Sequence, residues 1–171
     1  MKTTRFITVT ALFTALLICV QFVLSGVAGV ELVTVFFLAF CFSAGVKKGV
    51  AVAVCFSLIR CFLFGFYPSV IILYLVYYTG FAAFFGFLGN KFDRQATFTA
   101  FLWAVILSTA FTAAFTLLDD AITPLFYGFG ENAAKAYFYA SLPFMLSQCI
   151  CVTISASILF VPLCRAFRFA T

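Results

Sequence analysis

Charged positions cut this chain into long apolar runs. No charge occurs for 25 residues from Phe6 to Val30, nor for 15 from Leu32 to Val46. Eleven uncharged residues separate Lys48 from Arg60, 30 run from Cys61 to Asn90, 24 from Gln95 to Leu118 and 29 from Ala136 to Cys164. A helix needs about 20 mostly apolar residues to cross the hydrocarbon of a bilayer. Four of the runs reach that length alone. The run from Leu32 is short, and the next is long enough only when Arg60 lies inside a helix from Gly49 to Phe66. The pattern therefore predicts an all-α integral membrane bundle of six transmembrane helices, over about 5–26, 30–46, 49–66, 69–89, 96–118 and 136–163, in one domain across residues 1–171. Glycine and proline chemistry marks the expected joints: Ser25-Gly26 and Gly29, Lys47-Lys48-Gly49, Tyr67-Pro68 and Gly89-Asn90. The longest connection, roughly 119–135, holds Pro124, Gly128 and Gly130 and has room for a short interfacial helix.

Composition narrows the class. Apolar residues make up 66% of the chain and charged residues 9%, against roughly 45–50% and 25% in a soluble domain. Such a surface cannot be kept in water, and disorder demands the opposite balance. The chain has no histidine, which removes His-ligated haem, His-containing zinc sites and Ser-His or Cys-His hydrolysis. Its seven cysteines include no CxxC and lie in apolar stretches, where free cysteine packs as a small hydrophobe. No metal site or cofactor is expected. The net charge of +5 comes from scattered pairs rather than a stripe, so nucleic acid is not an expected partner.

Those pairs give topology. Lys2, Arg5, Lys47, Lys48, Lys91, Arg94, Arg165 and Arg168 fall at one set of helix ends, and only Lys135 at the other. With six spans, the excess of Lys and Arg predicts that both termini are cytoplasmic. Val27-Ala28-Gly29 loosely resembles a signal-peptidase site, but the preceding apolar run exceeds the 7–15 residues of a signal core, so an uncleaved first span is expected.

Ionisable and amide groups at membrane depth are the candidates for function. Arg60 stands eleven residues above Gly49, about 16 Å into the bilayer at 1.5 Å per residue. Glu31 opens the second span, Asp119 and Asp120 close the fifth, and Glu131 lies in the following loop. Gln148 lies close to Arg60 in depth, and Gln21 falls in the outer third. A planar guanidinium suits a carboxylate or heterocycle carbonyl of a solute. It equally suits backbone carbonyls and a neighbouring acid that tie helices together. Glu31 also has a structural reading, as a negative charge at a helix N-terminus, and the amides have one as interhelical hydrogen bonds. Together Gln21, Glu31, Arg60, Asp119 and Gln148 outline a pocket open to the outside, with Tyr74 and Tyr77 available to stack on a flat ring. On helix one, Ala11 and Ala15 form an AxxxA whose small side chains permit close approach of another helix, internal or foreign.

Order and spacing of several segments resemble the substrate-binding S-component of an energy-coupling-factor (ECF) vitamin transporter. They are Ala11-Leu12-Phe13-Thr14-Ala15, Glu31-Leu32-Val33-Thr34, Gly45-Val46-Lys47-Lys48-Gly49, Phe56-Ser57-Leu58 and Phe64-Gly65-Phe66-Tyr67-Pro68. The resemblance spans nearly the whole chain. It implies capture of a vitamin or related micronutrient from outside, in a pocket formed by outer loops and helices four to six. It also implies docking through Ala11 and Ala15 on a transmembrane coupling protein, with ATP hydrolysis in a separate ATPase pair and toppling of the loaded subunit in the bilayer. The chain itself contains no GxxxxGK[ST] phosphate loop and is not expected to be an enzyme. The competing expectation is a non-transporting membrane scaffold or accessory subunit, in which Arg60 and the acids form an internal network.

Overall fold

The computed structural model describes residues 2–27 and 30–170, the side chains of Lys2, Phe169 and Ala170 excepted. Ala28 and Gly29 of the cleavage-like triplet lie outside the described residues. The described chain forms six helices, α1 (Lys2–Leu24), α2 (Val33–Ala44), α3 (Val46–Phe64), α4 (Pro68–Lys91), α5 (Phe98–Tyr127) and α6 (Glu131–Ala170), and no strand. Four of them, α1, α4, α5 and α6, are long and apolar enough to cross a membrane. Large apolar side chains such as Val23, Phe62, Val76, Phe87, Phe98 and Ile106 are exposed around the bundle, as a protein solvated by lipid requires.

α2 is the hub. It packs against each of the other five helices, and eleven of its twelve residues are buried. An all-round apolar helix of this kind belongs in a core. At 12 residues it measures about 18 Å, short of a hydrocarbon thickness of about 30 Å. Phe13 of α1 stacks on its Phe40 with ring centroids 3.9 Å apart, and Phe160 of α6 meets its Phe42 edge-on at 5.3 Å.

Two expected joints are displaced. The chain turns between α2 and α3 at Gly45, whose φ of 83° favours glycine, so Lys47, Lys48 and Gly49 lie in the first turn of α3. Gly89 likewise sits inside α4. Both glycines serve packing. A methyl group on Gly49 would stand 3.0 Å from Cys41 Sγ and 3.3 Å from Ala82 Cβ. One on Gly86 would stand 2.6 Å from the Val46 nitrogen, and one on Gly89 would strike the Phe42 carbonyl. The row Ala82, Gly86, Gly89 thus lets α4 lie directly on the α2–α3 turn, the close approach that small residues permit. Tyr67-Pro68 behaves as expected, with Pro68 in the first turn of α4.

The largest departure concerns 119–135, where no separate interfacial helix forms. α5 continues through Asp119 and Asp120 to Tyr127, and α6 starts at Glu131, leaving a turn at 128–130 closed by Gly128 at φ 64°. Charge stopped the predicted span, but both aspartates find partners across the hairpin: Tyr137 Oη donates to Asp119 Oδ2 at 2.9 Å and Ser141 Oγ to Asp120 Oδ2 at 2.6 Å. With both oxygens of Asp119 and one of Asp120 hydrogen-bonded, the helices need not break. At 30 and 40 residues they run about 45 and 60 Å, longer than a hydrocarbon core of about 30 Å.

Candidate solute-binding cavity

Helices α5 and α6 face each other through a polar row. On α5, Thr109, Thr112, Thr116, Asp119 and Thr123 recur at spacings of three and four, which places them on one face. The α6 row is Tyr137, Ser141, Phe144, Gln148 and Cys151 at the same period. Thr109 and Thr153 hydroxyls meet at 2.8 Å, and Thr116 Oγ1 donates to Gln148 Oε1 at 3.4 Å. Thr123 Oγ1 donates to Asp119 Oδ1 at 2.8 Å, so both Asp119 oxygens are engaged.

Two cavities open on this seam. The larger, about 300 Å³, is lined by α5 and α6 alone, among them Thr116, Asp119, Tyr137, Ser141 and Gln148. The smaller, about 60 Å³, lies deeper and is enclosed by Glu31, Thr34, Tyr74, Tyr77, Tyr78, Thr112, Phe115 and Gln148. Phe115 and Gln148 line both cavities, so an outer antechamber and an inner chamber lie side by side with one aromatic ring and one amide common to their walls. The Phe115 ring packs edge-on against Tyr74 with centroids 5.3 Å apart and lies 4.7 Å from Tyr77.

Glu31 precedes α2 and caps it. Its Oε1 accepts from the Thr34 backbone N–H at 3.1 Å and from the Thr34 hydroxyl at 2.9 Å. Its own N–H points to Cys151 Sγ at 3.3 Å, tying the start of α2 to α6. The carboxylate therefore serves the helix terminus while forming part of the inner chamber wall.

The structure brings Glu31, Tyr74, Tyr77, Asp119 and Gln148 to the two chambers and sets Arg60 and Gln21 behind them. The Arg60 guanidinium carbon lies 3.9 Å from the centre of the Tyr74 ring and 5.2 Å from that of Phe64, within the range of cation–π attraction. Gln21 Nε2 donates to Tyr74 Oη at 3.5 Å. Tyr74 is thus held from behind by α1 and α3 while its ring forms chamber wall. Arg60 Nε, Gln21 Oε1 and Asp120 Oδ1 are buried without a hydrogen-bond partner among the described residues. Sequence reasoning missed Phe115, Thr112, Thr116 and Ser141. The three-four spacing of hydroxyl residues through an apolar helix is the signal that finds the last three, and nothing comparable marks Phe115 among the many phenylalanines.

Ala11 and Ala15 are exposed. They line a wide apolar groove of about 610 Å³ between α1 and α3, with Ile18, Ala51, Cys55 and Ile59. Among the described residues, no three cysteine or carboxylate side chains converge as metal ligands would.

Fold and cavity define an all-helical membrane protein with a polar, aromatic-walled chamber inside its bundle. Compared with known proteins, the chain matches no family model, no curated protein and no solved structure.

Proposed function

We propose that this protein is the substrate-capture subunit of an ATP-driven importer, taking up a vitamin or related small heterocycle. The observation that carries the reading is the paired cavity, with an antechamber between α5 and α6 leading to an aromatic inner chamber that contains a carboxylate and an amide. Ligand sites combine apolar and aromatic walls with a few placed polar groups, and these walls match that description. In this reading all six helices lie in the bilayer, α2 shielded by its neighbours. Both termini are cytoplasmic, and the α5–α6 tip faces outside, where Phe126, Tyr127, Phe129 and Tyr139 make an interfacial aromatic girdle.

Glu31 and Asp119 receive cationic or N–H groups of the solute, Gln148 orients it, and Tyr74, Tyr77 and Phe115 flank its ring. Arg60 and Gln21 hold Tyr74, and the free Arg60 Nε offers a donor to an anionic or carbonyl group that reaches past the ring. The exposed groove bearing Ala11 and Ala15 docks a transmembrane coupling protein, and hydrolysis of ATP resides in partner ATPase subunits. The resemblance to S-components of ECF transporters supports this division of labour.

A second reading, a scaffold that binds no solute, draws on the internal satisfaction of Asp119 by Thr123 and Tyr137. Mass spectrometry of small molecules retained through gentle purification separates the two. The capture reading expects one heterocycle per chain, lost on substituting Gln148→Leu together with Glu31→Gln. Failure of the protein to retain or bind any member of a vitamin panel favours the scaffold.

A further inference from the structure

At the end of the bundle opposite the α5–α6 tip, a second polar cavity of about 220 Å³ lies between the α4–α5 turn, the start of α5 and the last turns of α6. Arginine dominates it: Arg94, Arg165 and Arg168 line the space with Gln95, Thr97 and Cys164, and no acidic residue is present in the lining. Arg165 and Arg168, three apart on a helix, share a face. Arg94 comes from a different segment, delivered by a strained turn. Asp93 and Arg94 both take left-handed backbone angles, φ 49° and 55°, uncommon for residues with a side chain. That turn is fixed by the Arg94 N–H donating to the Gly89 carbonyl at 2.7 Å.

Three exposed cations around one concavity raise the local positive potential and favour an anion there. Arg165 and Arg168 by themselves fit the negative end of α6, but that does not account for Arg94, whose only hydrogen-bond partner among the described side chains is the Asn90 amide oxygen at 3.4 Å. The cavity also abuts the N-terminus of α5, capped by Thr97 accepting from the Ala100 N–H, and the positive end of a 30-residue helix adds to the field. Arginines supplied to one cavity by two segments are a donor set that suits phosphate oxygens.

We infer that Arg94, Arg165 and Arg168 form a binding site for a phosphate group, supplied by an anionic phospholipid or by a soluble phosphate. The site is distinct from the solute chambers and stands whether or not those bind a micronutrient. The lipid source requires the phosphate to sit at headgroup level, where this basic end of the bundle meets the membrane surface.

The test uses the full chain with two probes. Native mass spectrometry after exchange into phosphatidylcholine micelles titrated with phosphatidylglycerol reads the lipid source, and thermal unfolding in lipid-free detergent titrated with inorganic phosphate reads the soluble one. The cavity variant Arg94→Gln/Arg165→Gln/Arg168→Gln is compared with Arg5→Gln/Lys47→Gln/Lys91→Gln, which removes the same charge from the same end outside the cavity. The inference expects one saturable site for at least one probe, weakened tenfold or more in the cavity variant and less than threefold in the control. Phosphatidylglycerol retention alone assigns the lipid source, and a phosphate-dependent stabilisation assigns the soluble one. Equal losses in both variants, or no saturable binding of either probe by the wild-type chain, overturn the site. Should the cavity triple variant not fold, Arg94→Gln alone is read, with Arg94→Lys expected to recover part of the binding.

Discussion

Glu31 carries two duties that a single substitution separates. Its Oε1 accepts two hydrogen bonds from Thr34 at the start of α2, and its carboxylate is part of the inner chamber wall. Glu31→Gln keeps an oxygen in the same place, so both Thr34 donors remain satisfied. What is lost from the fold is the charge–dipole term, about 0.3–1 kcal/mol. Glu31→Ala removes the acceptor as well, and losing a helix cap costs about 0.5–2 kcal/mol. If the carboxylate also receives a solute cation or N–H, its charge-assisted hydrogen bond contributes about 1.5–3 kcal/mol to binding, which is a loss of roughly ten- to hundredfold in affinity. The two substitutions therefore rank differently in two assays. Thermal unfolding in detergent should place Glu31→Gln near wild type and Glu31→Ala below it. Retention of the copurifying solute, or its titration by calorimetry, should show both variants impaired by at least tenfold. A Glu31→Gln protein that binds solute within twofold of wild type reduces Glu31 to a helix cap and removes it from the binding site.

Gly89→Ala should unfold at lower temperature by about 1–3 kcal/mol of overpacking, because its methyl would meet the Phe42 carbonyl; a neutral melting curve refutes the direct α4–α2 contact. Ala11→Trp and Ala15→Trp should leave solute binding intact and abolish uptake by cells that supply the coupling module, and uptake by both variants sinks the docking face. Arg60→Ala should weaken solute binding while the protein stays folded, as Tyr74 loses a cation–π contact of about 0.5–2 kcal/mol. Wild-type affinity in that variant would leave Arg60 a structural residue only. Phe115→Ala should merge antechamber and inner chamber, with faster solute dissociation as the readout; unchanged off-rates mean the ring is no barrier.

How far the fold is legible depends on whether charge meant solvent. At Lys91 and at the start of α1 it did, and helix ends fall within a few residues of expectation. At Asp119 and Asp120 it did not, because Tyr137 and Ser141 reduce the cost of carrying a helix through two acids, and those partners lie 18 and 21 residues away in sequence. Glycine was ambiguous in the same way. Gly45 and Gly65 break helices through positive φ, whereas Gly49 and Gly89 stay helical because a neighbouring backbone or side chain needs the missing methyl's space. Nothing local distinguishes these uses. The candidate site was partly legible: Glu31, Asp119 and Gln148 stood out as polar groups in or at the ends of apolar spans, Tyr74 and Tyr77 as rings able to stack, and all five line the chambers. Arg60 stood out for the same reason yet lies behind Tyr74, since depth along a helix says nothing of which way the side chain turns.

The chambers sit where two unequally packed parts of the molecule meet. On one side, α2, α3 and α4 are locked by Gly49, Gly86 and Gly89 and by a continuous aromatic cluster, in which Phe37 stacks on Phe81 at 5.6 Å and Phe56 meets Tyr78 edge-on at 5.1 Å. The inner half of α6 belongs to this part, through Phe160 on Phe42 and Cys151 at Glu31. On the other side, the ends of α5 and α6 around Asp119 and Tyr137 touch across small polar pairs, and the antechamber lined by α5 and α6 alone separates them. Polar pairs between membrane helices are worth about 0.6 kcal/mol on average, far less per contact than buried aromatic rings. Segments with few buried apolar contacts open first. Entry of a solute into the enclosed inner chamber therefore calls for parting of the α5–α6 tip and rotation of Phe115, while Glu31 and Tyr74 stay fixed on the packed side. A disulfide joining the tip, Asp120→Cys/Ser141→Cys, at a pair whose side chains already meet, tests that division. Its oxidised form should slow solute exchange and its reduced form restore it. Exchange that ignores the crosslink would place the entrance elsewhere.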